Sequence, residues 1–284
     1  MNMTVIESVQ GMQQVALHEK RAGRKIGLVP TMGYLHEGHL SLVALARARA
    51  EIIILSVFVN PTQFLPGEDL AVYPRDFERD KELCARAGVD LVFHPEPSEM
   101  YAADHSVFVD ETALSNVLCG ASRPGHFRGV TTVVAKLFNI TLPDVAVFGQ
   151  KDAQQCRIIQ RMVRDLNLPV EIVVGPIVRE PDGLAMSSRN KYLSIEERSR
   201  ALCLRRSLDA AEAMVQSGER SVAGIRSVVV AAISAVPGAT LDYVAFVDNE
   251  TLEPVPRITR PVLVALAVRF GPTRLIDNTV LTLW

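Results

Sequence analysis

Cysteine is scarce and scattered in this chain. Its four thiols, Cys84, Cys119, Cys156 and Cys203, include no Cys-x-x-Cys pair, which excludes a zinc ribbon and a thioredoxin-type dithiol and leaves buried, reduced thiols as the expectation. Charge of one sign is lacking too: 30 Lys and Arg stand against 32 Asp and Glu, a formal net charge of -2. A protein held to nucleic acid by bulk electrostatics carries a basic excess, because that affinity scales with the phosphates neutralised. Nucleic acid is therefore not an expected partner. The densest apolar runs, Ile52 to Val59 and Val262 to Val268, fall far short of the roughly 20 residues of a membrane span. The opening MNMTVIESVQ has neither a basic n-region nor an apolar h-region. A cytoplasmic protein with no membrane partner is expected, and the Asn-x-Thr matches at Asn139 and Asn249 are then chance ones. Two phosphate-binding signatures are also missing. There is no Gly-x4-Gly-Lys-[Ser/Thr] loop and no Gly-x-Gly-x-x-Gly fingerprint, which disfavours standard P-loop and dinucleotide folds.

What is present is ordinary globular composition, 48% hydrophobic and 22% charged over 284 residues. That length has room for about two domains and buries a full core unaided. From residue 26 short β-branched runs alternate with helical stretches: Ile26 to Val29, His39 to Ala50, Ile52 to Val59, Asp76 to Ala87, Val89 to Phe93, then Thr131 to Ile140, Val145 to Phe148, Ala153 to Leu166 and Val170 to Val174. That rhythm is the signature of βαβ units on a parallel sheet, and the unbroken apolar run IIILSVFV suits a strand covered on both faces. After about residue 177 come two helical stretches, Ile195 to Gln216 and Val222 to Val236, and three β-like runs, Leu241 to Val247, Val262 to Val268 and Arg274 to Ile276. The expected architecture is α/β, a Rossmann-like doubly wound parallel sheet over residues 1–177 with a smaller α+β domain over 178–284.

Four segments sit where such a sheet binds ligands, at strand C-ends and helix N-ends, whose unpaired N–H groups and dipole favour anions. In PTMGYLHEGH, Gly33 and Gly38 permit tight turning, and His36 and His39, three apart, suit donation to phosphate oxygens. Two surface histidines in a turn fit the same pattern. In FVNPTQF, Asn60 and Gln63 present neutral amides near the sheet edge, or serve only the turn. In FGQKDAQQ, Lys151 and a helix start make a cationic corner, with Asp152 as N-cap or ribose acceptor and Gln155 close behind. In DGLAMSSRNKYL, Ser187, Ser188 and Arg189 form either a mobile anion-binding set or a polar linker. GASRPGHFRGV, with Arg123, His126 and Arg128, reads as a lid, a pocket wall or a plain surface loop. His18, His94 and His105 have no convergent partners. ERDKE, Glu78 to Glu82, reads as a solvated helix face, with Asp80 a remote candidate for magnesium.

The ordered set PTMGYLHEGH, FVNPTQF, RPGHFRGV, FGQKDAQQ and LAMSSRN, continued by GPTRLIDN near the C-terminus, closely resembles the pantothenate synthetase family. HEGH resembles the HIGH motif and MSSRN the KMSKS-type motif of the nucleotidylyltransferase superfamily. The resemblance covers essentially the whole chain. It implies ATP-dependent ligation of pantoate and β-alanine through a pantoyl-adenylate, with magnesium, in a cytoplasmic homodimer. It implies ATP contacts from Met32, Gly33, Tyr34, Leu35, His36, Glu37, Gly38 and His39, from Gly149, Gln150, Lys151 and Asp152, from Val178, and from Met186, Ser187, Ser188 and Arg189. Gln63 and Gln155 are implied on pantoate, Gln63 also near β-alanine, with Asn60 assisting. His39, His36, Lys151, Ser187, Ser188 and Arg189 are the implied catalytic group, and no residue is assigned to a metal. Two departures stand out: Ser188 occupies the place of a superfamily lysine, and Gln150 that of an expected acidic residue. Another HxGH-type nucleotidylyltransferase, or a non-catalytic nucleotide-binding protein, is the alternative.

Overall fold

The computed structural model describes residues 3–283, which divide into two compact units. One comprises the chain up to Gln150 together with Gln155–Pro176; the other comprises Lys151–Gln154 together with the chain from Ile177 onward.

The first unit runs β1 (Thr4–Ile6), α1 (Val9–Arg21), β2 (Ile26–Thr31), α2 (Glu37–Arg47), β3 (Ile52–Val57), α3 (Phe77–Arg86), β4 (Leu91–Phe93), α4 (Pro97–Met100), α5 (Cys119–Ser122), α6 (His126–Thr141), β5 (Val145–Gly149), α7 (Ala153–Asp165) and β6 (Glu171–Gly175), where α7 takes its first residues from the other unit. The six strands are all parallel in the order β1-β4-β3-β2-β5-β6. β3 is buried along its whole length, as a strand covered on both faces requires. Each such Ile, Leu or Val contributes about 1.5–3 kcal/mol of apolar transfer, so the IIILSV run settles the middle of the sheet. β2 pairs with β3 on one side and β5 on the other. The winding reverses between β2 and β5, and a doubly wound sheet opens its ligand crevice at such a point.

Three expectations needed adjustment here. β1 and α1 precede residue 26, where the alternation was too short to read. α6 starts at His126, five residues before the expected Thr131, because its first turn is buried. The expected strand to Val59 ends at Val57, where Asn60 and Pro61 open a tight 3-10 turn.

The second unit contains α8 (Ile195–Arg200), α9 (Cys203–Gln216), α10 (Val222–Ser234), β7 (Ala239–Asp248), β8 (Val262–Phe270) and β9 (Thr273–Leu281). The strands form an antiparallel sheet β7-β8-β9, and its buried core includes Leu208, Ile225, Val264 and Leu266. The single helix expected from Ile195 to Gln216 is two helices broken at Ala201 and Leu202, the first opened by a reciprocal Ser194–Glu197 cap. β9 is three times the length of the expected Arg274 to Ile276 run. All four thiols are free and buried.

Candidate active site

β2 delivers the chain into a turn that only an unusual backbone can make. Gly33 lies at φ 81° and Tyr34 at φ 52°, a left-handed pair that costs a non-glycine residue about 1–2 kcal/mol. A Cβ on Gly33 would stand 2.9 Å from Val57 Cγ1 and 3.0 Å from Asp80 Oδ2. The turn is held by Asp80, 1% exposed, whose Oδ2 accepts from Tyr34 N–H at 2.7 Å and Oδ1 from Leu35 N–H at 2.8 Å. Burial pushes the Asp80 carboxyl above its ordinary value, against the opposing pull of the Leu35 and Tyr34 amides. Its neighbour Arg79 donates to Leu35 O at 2.9 Å and covers the Tyr34 ring at 5.3 Å. ERDKE is therefore not simply a solvated face: its central carboxylate is buried, with an oxygen on each of two backbone amides. Leu35, expected among the ATP contacts, is instead a core side chain with both main-chain polar groups bonded inside the protein.

His36 and His39 cap α2 reciprocally. His36 Nδ1 accepts from Gly38 N–H at 3.1 Å, and His39 Nδ1 accepts from His36 N–H at 3.3 Å. A neutral ring whose Nδ1 accepts carries its proton on Nε2. The rings lie 4.1 Å apart, tilted by 34°. Glu37 is exposed beside them in the first helical turn.

After β3, Asn60 is 1% exposed. Its Oδ1 accepts from Tyr101 Oη at 2.8 Å and Thr62 Oγ1 at 2.9 Å, and its Nδ2 donates to Gly129 O and Gln63 Oε1, each at 3.1 Å. An amide so occupied is a support for Gln63. Gln63 Nε2 rests 3.1 Å from Met32 Sδ, which brings these two predicted residues together. RPGHFRGV is not a plain surface loop: His126 is buried at the start of α6, and Arg123 makes a two-pronged pair with Glu68, both contacts 2.6 Å. Burial opposes ionisation of Glu68, but the Arg123 bond and charge leave its carboxyl below the ordinary value.

A second set belongs to the other unit. Lys151, the half-buried first residue of Lys151–Gln154, has its carbonyl bound by Asn278 Nδ2 at 2.9 Å. Lys151 and Ser187 line one cavity with Ala185, Asn190 and Asp277. Met186 N–H donates to Val178 O at 3.0 Å, joining two predicted nucleotide residues, and Ser187 Oγ accepts from Arg189 N–H at 3.3 Å to start a 3-10 turn that includes Ser188. Behind it Arg179 grips the buried Asp277 bidentately at 2.7 and 2.9 Å, and Asn190 donates to Glu180 at 2.8 Å. Asp152 is exposed on the 3-10 turn Gln150–Asp152. Gly149 closes β5 and Gln150 follows it in the first unit, where Cys156 Sγ donates to Gly149 O at 3.3 Å, and Gln155 lies half-buried early in α7. Arg179 and Asp277 were assigned no site role from the sequence, Asp80 only a remote one toward magnesium and His126 only a place in a lid, pocket wall or surface loop; the GPTRLIDN run was the signal for Asp277, and none marked Arg179.

Fold and site together define an α/β enzyme whose histidine- and amide-bearing loops stand at the carboxyl ends of parallel strands. The family model described as pantoate-beta-alanine ligase matches residues 4–280. Pantothenate synthetase of Geobacter sulfurreducens is 56% identical over 279 residues, 98% of this chain and 99% of that protein. The crystal structure of pantothenate synthetase from Thermus thermophilus superposes with a TM-score of 0.93 at 47% identity, covering 98% of this chain and 99% of that one. Pantoate-beta-alanine ligase from Francisella tularensis, solved in complex with beta-gamma ATP and beta-alanine, gives a TM-score of 0.82 at 32% identity, with 98% of both chains covered. The chain belongs to the pantoate-beta-alanine ligase family, and it is an enzyme that joins pantoate to β-alanine.

Proposed function

We infer that this ligation runs through ATP-driven adenylation of pantoate and that the two residue sets described above carry it. A carboxylate does not acylate an amine at neutral pH, because its leaving group is poor. Pantoate oxygen attacks the α-phosphorus in line and pyrophosphate departs; the β-alanine amine then attacks the acyl carbon and AMP departs. Both transition states gather negative charge on oxygen, so fixed N–H and cationic donors supply most of the acceleration.

The reciprocal His36–His39 cap at the start of α2, directly after β2, is the observation that carries this reading. It sets two imidazoles side by side at the positive end of a helix dipole, where phosphate oxygens are favoured. Met32 to His39 embrace ATP in this reading, with Leu35 acting only through the packing that supports the turn. Gly149 and Gln150 bind the nucleotide through their backbone, Lys151 binds phosphate, Asp152 the ribose, and Val178 the adenine through its backbone. Met186, Ser187, Ser188 and Arg189 close on the phosphates, and Lys151 and Arg189 supply the positive charge that Ser188 does not. Gln63 and Gln155 hold pantoate, with Gln63 also near β-alanine and Asn60 working through Gln63. Residues 1–177 thus serve nucleotide and pantoate, and 178–284 contribute the MSSR loop.

Magnesium enters with ATP. Among the described residues no group of three His, Cys, Asp or Glu side chains is arranged to hold a metal, and an ion carried by phosphates and water requires no protein cage. It would neutralise charge on the triphosphate. A homodimer in the cytoplasm completes the reading on the strength of the family resemblance; no helix among the described residues is long and apolar enough to cross a membrane.

A pyrophosphate-release assay tests the scheme. Release is expected to require ATP and pantoate, with sustained turnover and AMP formation only when β-alanine is added. His39→Ala and Lys151→Ala are each expected to slow the reaction by about 10²-fold or more, with unchanged far-ultraviolet circular dichroism. Near-wild-type rates in both variants defeat the assigned roles, and a stable nucleotide product other than AMP marks a different nucleotidylyl transfer.

A further inference from the structure

Gln63 is held at its backbone carbonyl by His126 and Arg123 and at its side chain by Asn60, itself anchored on Gly129 O of α6, and the chemistry of that grip decides which face of its amide is offered. His126 Nε2 lies 3.0 Å from Arg123 Nη1. A guanidinium only donates, so Nε2 is the acceptor and the proton sits on Nδ1, which donates to Gln63 O at 2.7 Å. Arg123 adds a second donor to the same carbonyl at 3.3 Å and is anchored in turn by Glu68. At the side-chain end the polarity is equally determined. Gly129 O is a carbonyl and only accepts, so the Asn60 atom facing it at 3.1 Å is Nδ2, and that nitrogen makes its second bond to Gln63 Oε1 at 3.1 Å. The Gln63 oxygen is thereby turned to Asn60, and the group facing Met32 is the NH2. Gly129 has to be glycine for this approach: a Cβ there would stand 2.4 Å from Thr62 O and 2.7 Å from Gln63 N.

We propose that His126 and Gly129 are positioning residues that fix the Gln63 amide with its oxygen on Asn60 and its NH2 turned away from it, so that the site meets a substrate carboxylate or hydroxyl oxygen with a donor. The proposal rests on Gln63 holding pantoate. His126→Leu removes the donor to Gln63 O, and a lost hydrogen bond to a ligand-orienting peptide corresponds to about a tenfold change. The expected result is a KM for pantoate raised about tenfold while the KM for ATP stays within twofold. His126→Asn, whose amide nitrogen falls near the place of Nδ1, is expected to recover most of that loss. Gly129→Ala is expected to raise the pantoate KM further, its Cβ pushing the Thr62–Gln63 peptide away. Thermal melts of all three establish that they fold, and the Asn variant carries the test should the Leu variant not. Pantoate and ATP constants that change together, or no rescue by Asn, overturn the positioning role. Gln63→Ala is the control: an unchanged pantoate KM there overturns the substrate assignment and the proposal with it, whereas a raised KM in Gln63→Ala beside a normal one in His126→Leu overturns the proposal alone.

Discussion

Replacing Asp80 with asparagine tests how the left-handed turn at Gly33 and Tyr34 is kept in place. The carboxylate presents two acceptors to two converging amides, at 2.7 and 2.8 Å. The carboxamide has one oxygen, so one of the Tyr34 and Leu35 N–H groups then faces an NH2. A buried donor left without an acceptor costs about 1–3 kcal/mol, and bonds to a charged acceptor lie at the upper end of that range. The strain at Tyr34, φ 52°, is no longer opposed, which favours local opening by a further amount of about 1 kcal/mol. A total near 3–4 kcal/mol corresponds to a fall in Tm of about 6–16 °C for a chain of this size. Because the same turn leads into the His36 cap, the KM for ATP is expected to rise about tenfold. Differential scanning calorimetry and an ATP titration of pyrophosphate release measure the two effects. A variant with unchanged Tm and unchanged ATP dependence refutes the account of Asp80 as the clamp on this turn.

Three further outcomes follow from the same geometry. Arg179→Met strands Asp277, whose side chain is 1% exposed, and the loss of one partner of a buried pair costs about 3–5 kcal/mol; urea unfolding followed by circular dichroism checks it, and a loss below about 1 kcal/mol rejects it. His94, stacked on Phe77 at 3.8 Å, is held below its ordinary value of 6.5 mainly by burial, against the pull of Glu7, Glu96 and Asp80. A depressed folded value means the unfolded chain takes the proton first, so this contribution to stability is full above 6.5 and is lost as the pH falls through the lowered value; His94→Phe is expected to flatten the dependence of Tm on pH below neutrality, and an unchanged slope contradicts it. Burial raises the Cys84 thiol to about 12 and the Cys203 thiol to about 11, so a maleimide is expected to label none of the four cysteines rapidly in the native protein and all of them in denaturant; one fast-reacting native thiol counts against the burial reading.

The parallel sheet was legible in the residues because its signal is local. An unbroken apolar strand such as IIILSV, followed by a helical period and another apolar run, leaves few arrangements that bury everything. The positions of PTMGYLHEGH and FVNPTQF were readable for the same reason, since they follow strands directly. Helix breaks and starts were less visible: no glycine or proline marks the stop at Ala201 and Leu202, and the early start of α6 depends on burial of His126.

The chain's own order of residues determined the fold class, the strand-end placement of the histidine and amide segments, and the family they resemble, because period, turn chemistry and motif spacing are properties of short stretches. Only the tertiary structure decided what each polar group is bonded to. Asp80 lies 46 residues from Tyr34, Gly129 lies 69 from Asn60, and Asn278 lies 127 from Lys151. Whether a carboxylate on a charged helix is solvated or clamps a turn, and whether an asparagine faces solvent or orients a neighbouring glutamine, is set by the acceptor or donor that folding brings within about 3 Å. No local pattern encodes that partner.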